Sequence, residues 1–308
     1  MKSFWKIKII VSFLVTLFFL DLKAQQEIPL YEKNLVPGAL SCEVMESRSG
    51  QGAGVVKDVT IPTLTVYEPR GSSSENTAVI VCPGGSYVTL SMEGEGAKSA
   101  EILTKENIVV FVLKYRTSNF KCNSDYKLAP LQDIQQAILK IRKEARKWKV
   151  NPNKVGVMGF SAGGHLAALA STRYNVPQVK NGTTSLRPDF SVLVYPVISF
   201  TDSLTSKLSK SRIHLLGEHF TKDEAEWFSS ELHVNATTPP TYLIHAADDS
   251  IALVGQSLVY YQALNRNKVP SQIMVYQQGG HGFSVYNKPL DDFWTKGVVN
   301  WLKLNKLL

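Results

Sequence analysis

The sequence predicts an α/β fold in which a mostly parallel central sheet carries helices on both faces and a small helical insertion. Three observations lead there. Short β-branched apolar runs alternate with amphipathic stretches of helical period along most of the chain. Several of those runs are apolar throughout, as expected of strands buried on both faces. The composition, 44% hydrophobic and 19% charged over 308 residues with no biased tract, suffices for a full core. No repeat with a period of roughly 20–50 residues is visible, which argues against a solenoid or a propeller.

The N-terminus stands outside this pattern. "MKSFWKIK" brings Lys2, Lys6 and Lys8 ahead of the apolar run Ile9–Leu20, and "DLKAQQ" follows. That is the three-part layout of a secretory signal peptide, with cleavage expected after Ala24. The alternative is an uncleaved anchor, but the run is shorter than the roughly 20 residues of a comfortable membrane span, so no stable membrane anchor is expected. No cysteine follows closely enough for a lipoprotein anchor. Residues 25–308 are expected to form a single domain working in a periplasm or outside the cell.

Within that domain, Gln25 to about Val56 reads as irregular, with Pro37, Gly38, Gly50, Gly52 and Gly54. "TLTVYEP" (Thr63–Pro69) is a first strand, and "AVIVCPGG" (Ala78–Gly85) is a buried strand running into a glycine turn. "EGAKSAEILTKE" (Glu95–Glu106) is helical and "IVVFVLKY" (Ile108–Tyr115) is a strand. Pro130 opens a long helix to Trp148 whose Leu131, Ile134, Ile138 and Ile141 share one face. "KVGVMGF" (Lys154–Phe160) is the next strand, with a helix from Ala162. Further strands are expected at Phe190–Ser199, Thr241–Ala246 and Ser271–Gln277, with helices at Leu253–Asn267 and Asp291–Leu308 after the last two. Thr201–Val234 is polar and helical only in places, and reads as an insertion over the carboxyl edge of the sheet.

Charge and cysteines narrow the function classes. Removing residues 1–24 takes away four lysines and one aspartate, so the formal charge falls from +8 to +5. The densest basic segment, Lys140–Lys149, is the solvated face of a helix. Nucleic-acid binding would require a basic cluster within a recognisable module, and none is present, so no nucleic-acid partner is expected. Of Cys42, Cys82 and Cys122, an odd set, at least one is left as a free thiol or pairs between molecules. Cys82 ends an apolar strand and is expected to be buried. The only intramolecular pairing to entertain is Cys42 with Cys122. No C-x-x-C or H-E-x-x-H spacing occurs, so no metal site is expected. No cofactor is called for, and no feature indicates an oligomeric state.

The chemistry centres on "VGVMGFSAGGHLAAL". Ser161 lies in a G-x-S-x-G motif, weak by itself but here preceded by a strand and followed by a helix, the context of a nucleophile elbow. A neutral serine needs a base oriented by a third group. Among the six histidines, His165 travels with the helix that leaves the elbow and reads as a packing or supporting residue. His214, His219 and His233 lie in or beside the insertion, and His245 is inside a strand. His281, in the loop "QQGGHGFS" after a strand and before the final helix, has the right setting. The acid should end the preceding strand, where "TYLIHAADDSI" offers Asp248 and Asp249; spacing favours Asp249, and an N-cap is expected of the other. The order Ser161, Asp249, His281 is that of α/β-hydrolases. The oxyanion donors are expected to be the amides of Ala162 and of the turn "CPGGSY", with Gly85 and Ser86 the residues chosen. "EGEG" (Glu93–Gly96) lacks the Lys-Ser/Thr of a phosphate loop.

With these residues placed, the sequence resembles the bacterial α/β-hydrolase esterases of the acetylxylan and feruloyl esterase-like group, near the hormone-sensitive-lipase-like esterases. The resemblance rests on "CPGGSY", "EGAKSAEIL", "LKYR" (Leu113–Arg116), "APLQDIQQAI" (Ala129–Ile138), "VNPNKVGVMGFSAGGHLAA", "TPPTYLIHAADDSI" and "GGHGFSV", and so covers nearly all of the chain after Ala24. It implies Ser161 as nucleophile, Asp249 as acid and His281 as base. Ser86 departs from a third glycine often found after "PGG", and Leu253 from a proline after the acid. Together with the leader, the resemblance implies a secreted serine carboxylesterase acting on a small-molecule or oligosaccharide ester, first of all the acetyl esters of plant polysaccharide such as xylan. The alternatives are a feruloyl or other small-acyl esterase, and a non-catalytic carbohydrate-binding relative.

Overall fold

The computed structural model describes residues 26–32, 35–50, 54–71, 75–118, 121–206 and 209–308. The expected signal peptide lies outside the described residues. Eight strands form one sheet in the order β1 (Gln26–Pro29), β4 (Thr63–Tyr67), β7 (Val109–Lys114), β5 (Asn76–Cys82), β8 (Val150–Phe160), β9 (Ser191–Val194), β10 (Thr241–Ala246) and β11 (Ser271–Tyr276). From β7 to β11 every pairing is parallel; β4 pairs antiparallel with both β7 and β1. Every residue of β5, β7, β9 and β10 is buried, including polar ones such as Asn76, Lys114 and His245, as expected of central strands covered on both faces.

Side chains alternate across a strand, so the apolar residues divide into two cores. Ala78, Ile80, Val155 and Val157 pack with α2 (Ala129–Lys143), α3 (Ala162–Thr172) and α6 (Gly255–Arg266) through Ile134, Ile138, Leu166, Leu169, Tyr260 and Leu264. Val79, Val81, Met158, Val192 and Ile244 pack with α1 (Lys98–Leu103) and α7 (Thr295–Leu304) through Ala100, Leu103, Val298 and Trp301. From β5 the chain passes over α1 to β7, then returns over α2 to β8 on the other side of β5. The winding therefore reverses between β5 and β8, and their carboxyl ends mark the switch point at which ligands of open α/β sheets bind.

The region read as irregular is so over most of its described length but holds three short strands. β1 forms the sheet's edge, and β2 (Ser47–Ser49) and β3 (Val55–Lys57) form a small antiparallel sheet with β6 (Thr89–Ser91). These strands of three or four residues bury little beyond Ile28, Val56 and Leu90, so they leave no period in the sequence. The strand expected over 190–199 ends at Val194, because Tyr195 takes a left-handed backbone (φ 36°) and leaves the sheet. Cys42 and Cys122 form a disulfide with their Cα atoms 5.3 Å apart, and Cys82 is free and buried. The bond fastens the N-terminal segment beside a second tether: the buried Arg116 guanidinium bonds Asp133 (2.7 Å), Gln132 (2.9 Å) and the carbonyl of Pro37 (2.6 Å).

Residues 201–234 lie between β9 and β10 and contain α4 (Ser211–Leu216) and α5 (Lys222–Trp227). Thr221 and Glu224 form a capping box at the start of α5. Gln256 of α6 accepts the amides of Ile198 and Ser199, fixing the chain just before the insertion. Among the described residues no helix is long and apolar enough to cross a membrane.

Candidate active site

Ser161 sits between the end of β8 and the start of α3 with φ 51° and ψ −117°, a strained conformation for a residue with a side chain. Two glycines make this turn possible. A Cβ on Gly159 would stand 2.1 Å from the carbonyl oxygen of Gly163, and one on Gly163 would stand 2.1 Å from that of Cys82. Strand and helix thus approach closely enough to lift the Ser161 hydroxyl to the carboxyl edge. Its amide donates to Val194 O (3.1 Å), and its carbonyl accepts from His165 (3.0 Å) and Val197 (3.1 Å).

Three expected residues meet. Ser161 Oγ is 2.8 Å from His281 Nε2, and His281 Nδ1 is 2.7 Å from Asp249 Oδ2. The serine hydroxyl donates to Nε2 when Nδ1 carries its hydrogen toward the carboxylate. Asp249 Oδ1 accepts the amides of Ile251 (2.9 Å) and Ala252 (3.0 Å), and His245 Nε2 approaches Oδ2 at 3.3 Å. Burial opposes charge on Asp249, but the hydrogen bonds from His245 and His281, the attraction of His281 and the Ile251 amide outweigh it. Together they hold the carboxyl well below the usual range. His245 Nε2–H also reaches the carbonyl of Ala252 (2.7 Å), and Nδ1 meets Ser257 Oγ (2.7 Å), so this strand histidine braces the acid.

Asp248 does not cap a helix, as was expected of the second aspartate. Its Oδ1 accepts the Gly280 amide (2.8 Å) and so fastens the loop of His281, while Val254 occupies the N-cap of α6. His165 is fully buried and stacked on Phe200 with centroids 4.2 Å apart. Its Nε2–H donates to Phe228 O (2.7 Å), which leaves Nδ1 to accept the Tyr87 hydroxyl (2.6 Å). Burial pushes its imidazole down to about 4, the Phe228 carbonyl working the other way. His165 supports the site from behind, pinning the turn "CPGGSY" to the insertion. His214 of α4 donates from Nδ1 to Ser86 O (2.9 Å) and holds the same turn from above. His219 and His233 do not join the site; His233 Nε2 accepts from the Arg173 guanidinium (2.5 Å).

The turn itself is strained and heavily braced. Gly85, Ser86 and Tyr87 have φ of 140°, 53° and 64°. Tyr115 Oη donates to Pro83 O (2.7 Å), and Gly85 O accepts the amides of Val88 and Thr89 (both 3.0 Å). Gly84 lies against the nucleophile, its notional Cβ 3.0 Å from that of Ser161, but its amide is spent on Glu95 Oε2 at 2.5 Å. Among the described residues the amides of Gly85, Ser86 and Ala162 have no intramolecular acceptor. Glu95 and Tyr195 were absent from the expected site; their only sequence signal was "EGEG" and a tyrosine at a strand end. Two surface concavities of about 310 and 510 Å³ open elsewhere, beside Asn153 and beside Thr77 at the amino ends of β8 and β5, and include none of these residues.

A doubly covered parallel sheet with a Ser–His–Asp arrangement at its carboxyl edge, in the chain order Ser, Asp, His, defines an α/β-hydrolase. The BD-FAE family model matches residues 64–264, and the chain belongs to that family. Acetylxylan esterase of Xylanibacter ruminicola is 33% identical over 232 residues, 73% of this chain and 45% of that protein. Endo-1,4-beta-xylanase B of Butyrivibrio fibrisolvens is 32% identical over 77% of this chain and 37% of its own length. The chain thus spans less than half the length of these curated relatives. Among solved structures, the acetyl ester-xyloside bifunctional hydrolase of Caldicellulosiruptor lactoaceticus superposes with a TM-score of 0.76 at 32% identity, covering 92% of this chain and 97% of the other.

Proposed function

We propose that this protein is a serine carboxylesterase that removes acetyl groups from plant polysaccharide or its oligosaccharides. The observation that carries the reading is the hydrogen-bonded line Ser161–His281–Asp249, together with the amides of Gly85, Ser86 and Ala162, which among the described residues have no intramolecular acceptor. Ser161 Oγ attacks the ester carbonyl as its proton passes to His281 Nε2. Asp249, ionised and held by two amides, keeps Nδ1 protonated and balances the imidazolium. The amides of Ala162, Gly85 and Ser86 receive the oxyanion, each donor contributing about 2.7–4 kcal/mol by analogy with a measured protease. The imidazolium of His281 then gives its proton to the departing sugar oxygen, which leaves as a free hydroxyl, and a water activated by the same imidazole releases acetate from the acyl-enzyme.

The substrate class is supported by two relatives whose names carry acetylxylan and an acetyl ester-xyloside, and by a third named for xylan. Export is supported by the N-terminal layout and by the Cys42–Cys122 disulfide, a bond favoured in oxidising compartments. Acetate release from acetylated xylo-oligosaccharides tests the reading, with feruloyl and butyryl esters alongside. Wild type should release acetate, and Ser161→Ala should fall by about 10⁵–10⁶ in kcat. Full activity in Ser161→Ala would end the nucleophile assignment. Turnover of aryl acetates or feruloyl esters, but not of the acetylated sugars, would end the substrate assignment.

A further inference from the structure

Glu95 is a buried carboxylate without a role in the reaction as described so far. It lies in the wide helical turn Met92–Ala97 that leads from β6 into α1. Among the described residues no lysine or arginine pairs with it, so its charge must be held by neutral donors. There are two. Oε2 accepts the Gly84 amide at 2.5 Å, and Oε1 accepts the Tyr195 hydroxyl at 2.9 Å.

Each donor leads to a different half of the active site. Gly84 precedes Gly85 and Ser86, the two residues proposed as oxyanion donors, and its own N–H is spent on Glu95. Tyr195 Oη in turn accepts the amide of Ser284, three residues beyond the base (3.0 Å), and its ring meets the His281 imidazole edge to face with centroids 5.0 Å apart. Ser284 Oγ also donates to the carbonyl of Gly94, beside Glu95. The "EGEG" segment is therefore joined twice to the loop of the base and once to the loop of the oxyanion donors.

We propose that Glu95 is a positioning residue of this site, its carboxylate clamping the oxyanion turn to the His281 loop through Gly84 and Tyr195. The clamp rests on the serine esterase reading and adds a residue to it. It sets two things together: the direction of the Gly85 and Ser86 amides, and the tilt of the imidazole. The titratable groups around His281 are Asp249, Tyr195 and Glu95; those around Glu95 are Tyr195, Tyr115 and His281. Burial pushes the Glu95 carboxyl up, while Gly84, Tyr195 and His281 draw it back.

The experiment compares Glu95→Gln, Glu95→Ala and Tyr195→Phe with wild type and Ser161→Ala on an aryl acetate, each checked for fold by near-UV circular dichroism. Glu95→Gln keeps the shape and one acceptor. It should lower kcat about tenfold with KM within about twofold, because the loss is felt only as the oxyanion forms. Glu95→Ala should lower kcat about a hundredfold. Tyr195→Phe cuts the bridge but leaves the ring on His281, so its effect should not add to that of Glu95→Gln. Should Glu95→Ala fail to fold, the other two variants decide. Unchanged kcat in Glu95→Gln, a loss expressed in KM alone, or full additivity in the double variant with Tyr195→Phe would overturn the clamp. If Ser161→Ala matches wild type, the esterase reading has failed instead; if Ser161→Ala is dead while Glu95→Gln is normal, only the clamp has.

Discussion

At the residue scale, Asp249 and His165 show two ways of fixing a charge state: hydrogen bonds keep Asp249 ionised against its burial, and burial keeps His165 neutral. Asp249 is held ionised by donors on both oxygens. Asp249→Asn presents an amide to His281 Nδ1 and favours the wrong tautomer, so kcat should fall about 10³–10⁴-fold with little change in KM; an ester-hydrolysis assay in which it keeps a tenth of wild-type kcat contradicts that role. His165 is held neutral, with a folded pKa of about 4 against about 6.5 in the unfolded chain. Between those values the unfolded state binds the extra proton, so stability rises with pH and is lost as pH falls from 6.5 toward 4. Urea unfolding at pH 7 and pH 4.5 should therefore show wild type losing about 2–3 kcal/mol from this group. His165→Gln, with nothing to titrate, should lose that much less over the same interval. Equal losses in the two proteins would mean that His165 is protonated in the fold.

At the element scale, the strand–turn–helix from Val150 to Thr172 does the positioning, and its tolerance is set by contacts between backbones. Gly163→Ala would place a methyl 2.1 Å from Cys82 O and 2.5 Å from Pro83 O, neither of which is a flexible side-chain end. Relief requires separating α3 from β5, so the variant should lose at least about 3 kcal/mol, above the ordinary cost of overpacking, together with its esterase activity. Gly255→Ala at the start of α6 meets only Leu204 Cδ2 at 3.5 Å and should keep wild-type stability and rate. Equal melting temperatures for the two variants would show that the elbow can relax. This element was legible because a β-branched run, small residues around a serine and an Ala/Leu helix are all local signals. The loops of Asp249 and His281 were legible for the same reason, each ending a recognisable strand. Glu95 and Tyr195 were not: they stand 100 residues apart in the chain and meet only once the sheet has formed. His165 was read correctly as a residue of the helix interior, but its bond to Tyr87 depends on a turn 78 residues away. The short strands β1, β2 and β3 escaped because edge pairing uses backbone groups, which carry no sequence period.

At the scale of the whole molecule, stability and catalysis are held by different parts of the chain. The site depends on the carboxyl edge of the sheet, from Pro83 through Ser161 to Ser284. The N-terminal segment is secured on the other side of β5, by β1 on β4, by the Arg116–Asp133 pair and by the Cys42–Cys122 bond. That bond closes a loop of 80 residues which contains β2 to β7 and the whole oxyanion turn. Cross-linking so long a loop restricts the unfolded chain by up to about 4 kcal/mol in the chain-entropy account, and typical measured values are about 2–4 kcal/mol. The double variant Cys42→Ser, Cys122→Ser should therefore unfold about 2–4 kcal/mol more easily in urea. Below its unfolding transition it should keep wild-type kcat on an aryl acetate, since neither sulfur touches the site. Reductant should destabilise wild type by the same amount and leave the double variant unchanged, because Cys82 is fully buried and burial pushes its thiol above the ordinary range. A double variant as stable as wild type would show that β1 and the Arg116 network hold the N-terminal segment unaided. A fall in kcat at full folding would show that the tether reaches the oxyanion turn through Tyr87 O, which accepts the amide of Ser118 four residues before Cys122.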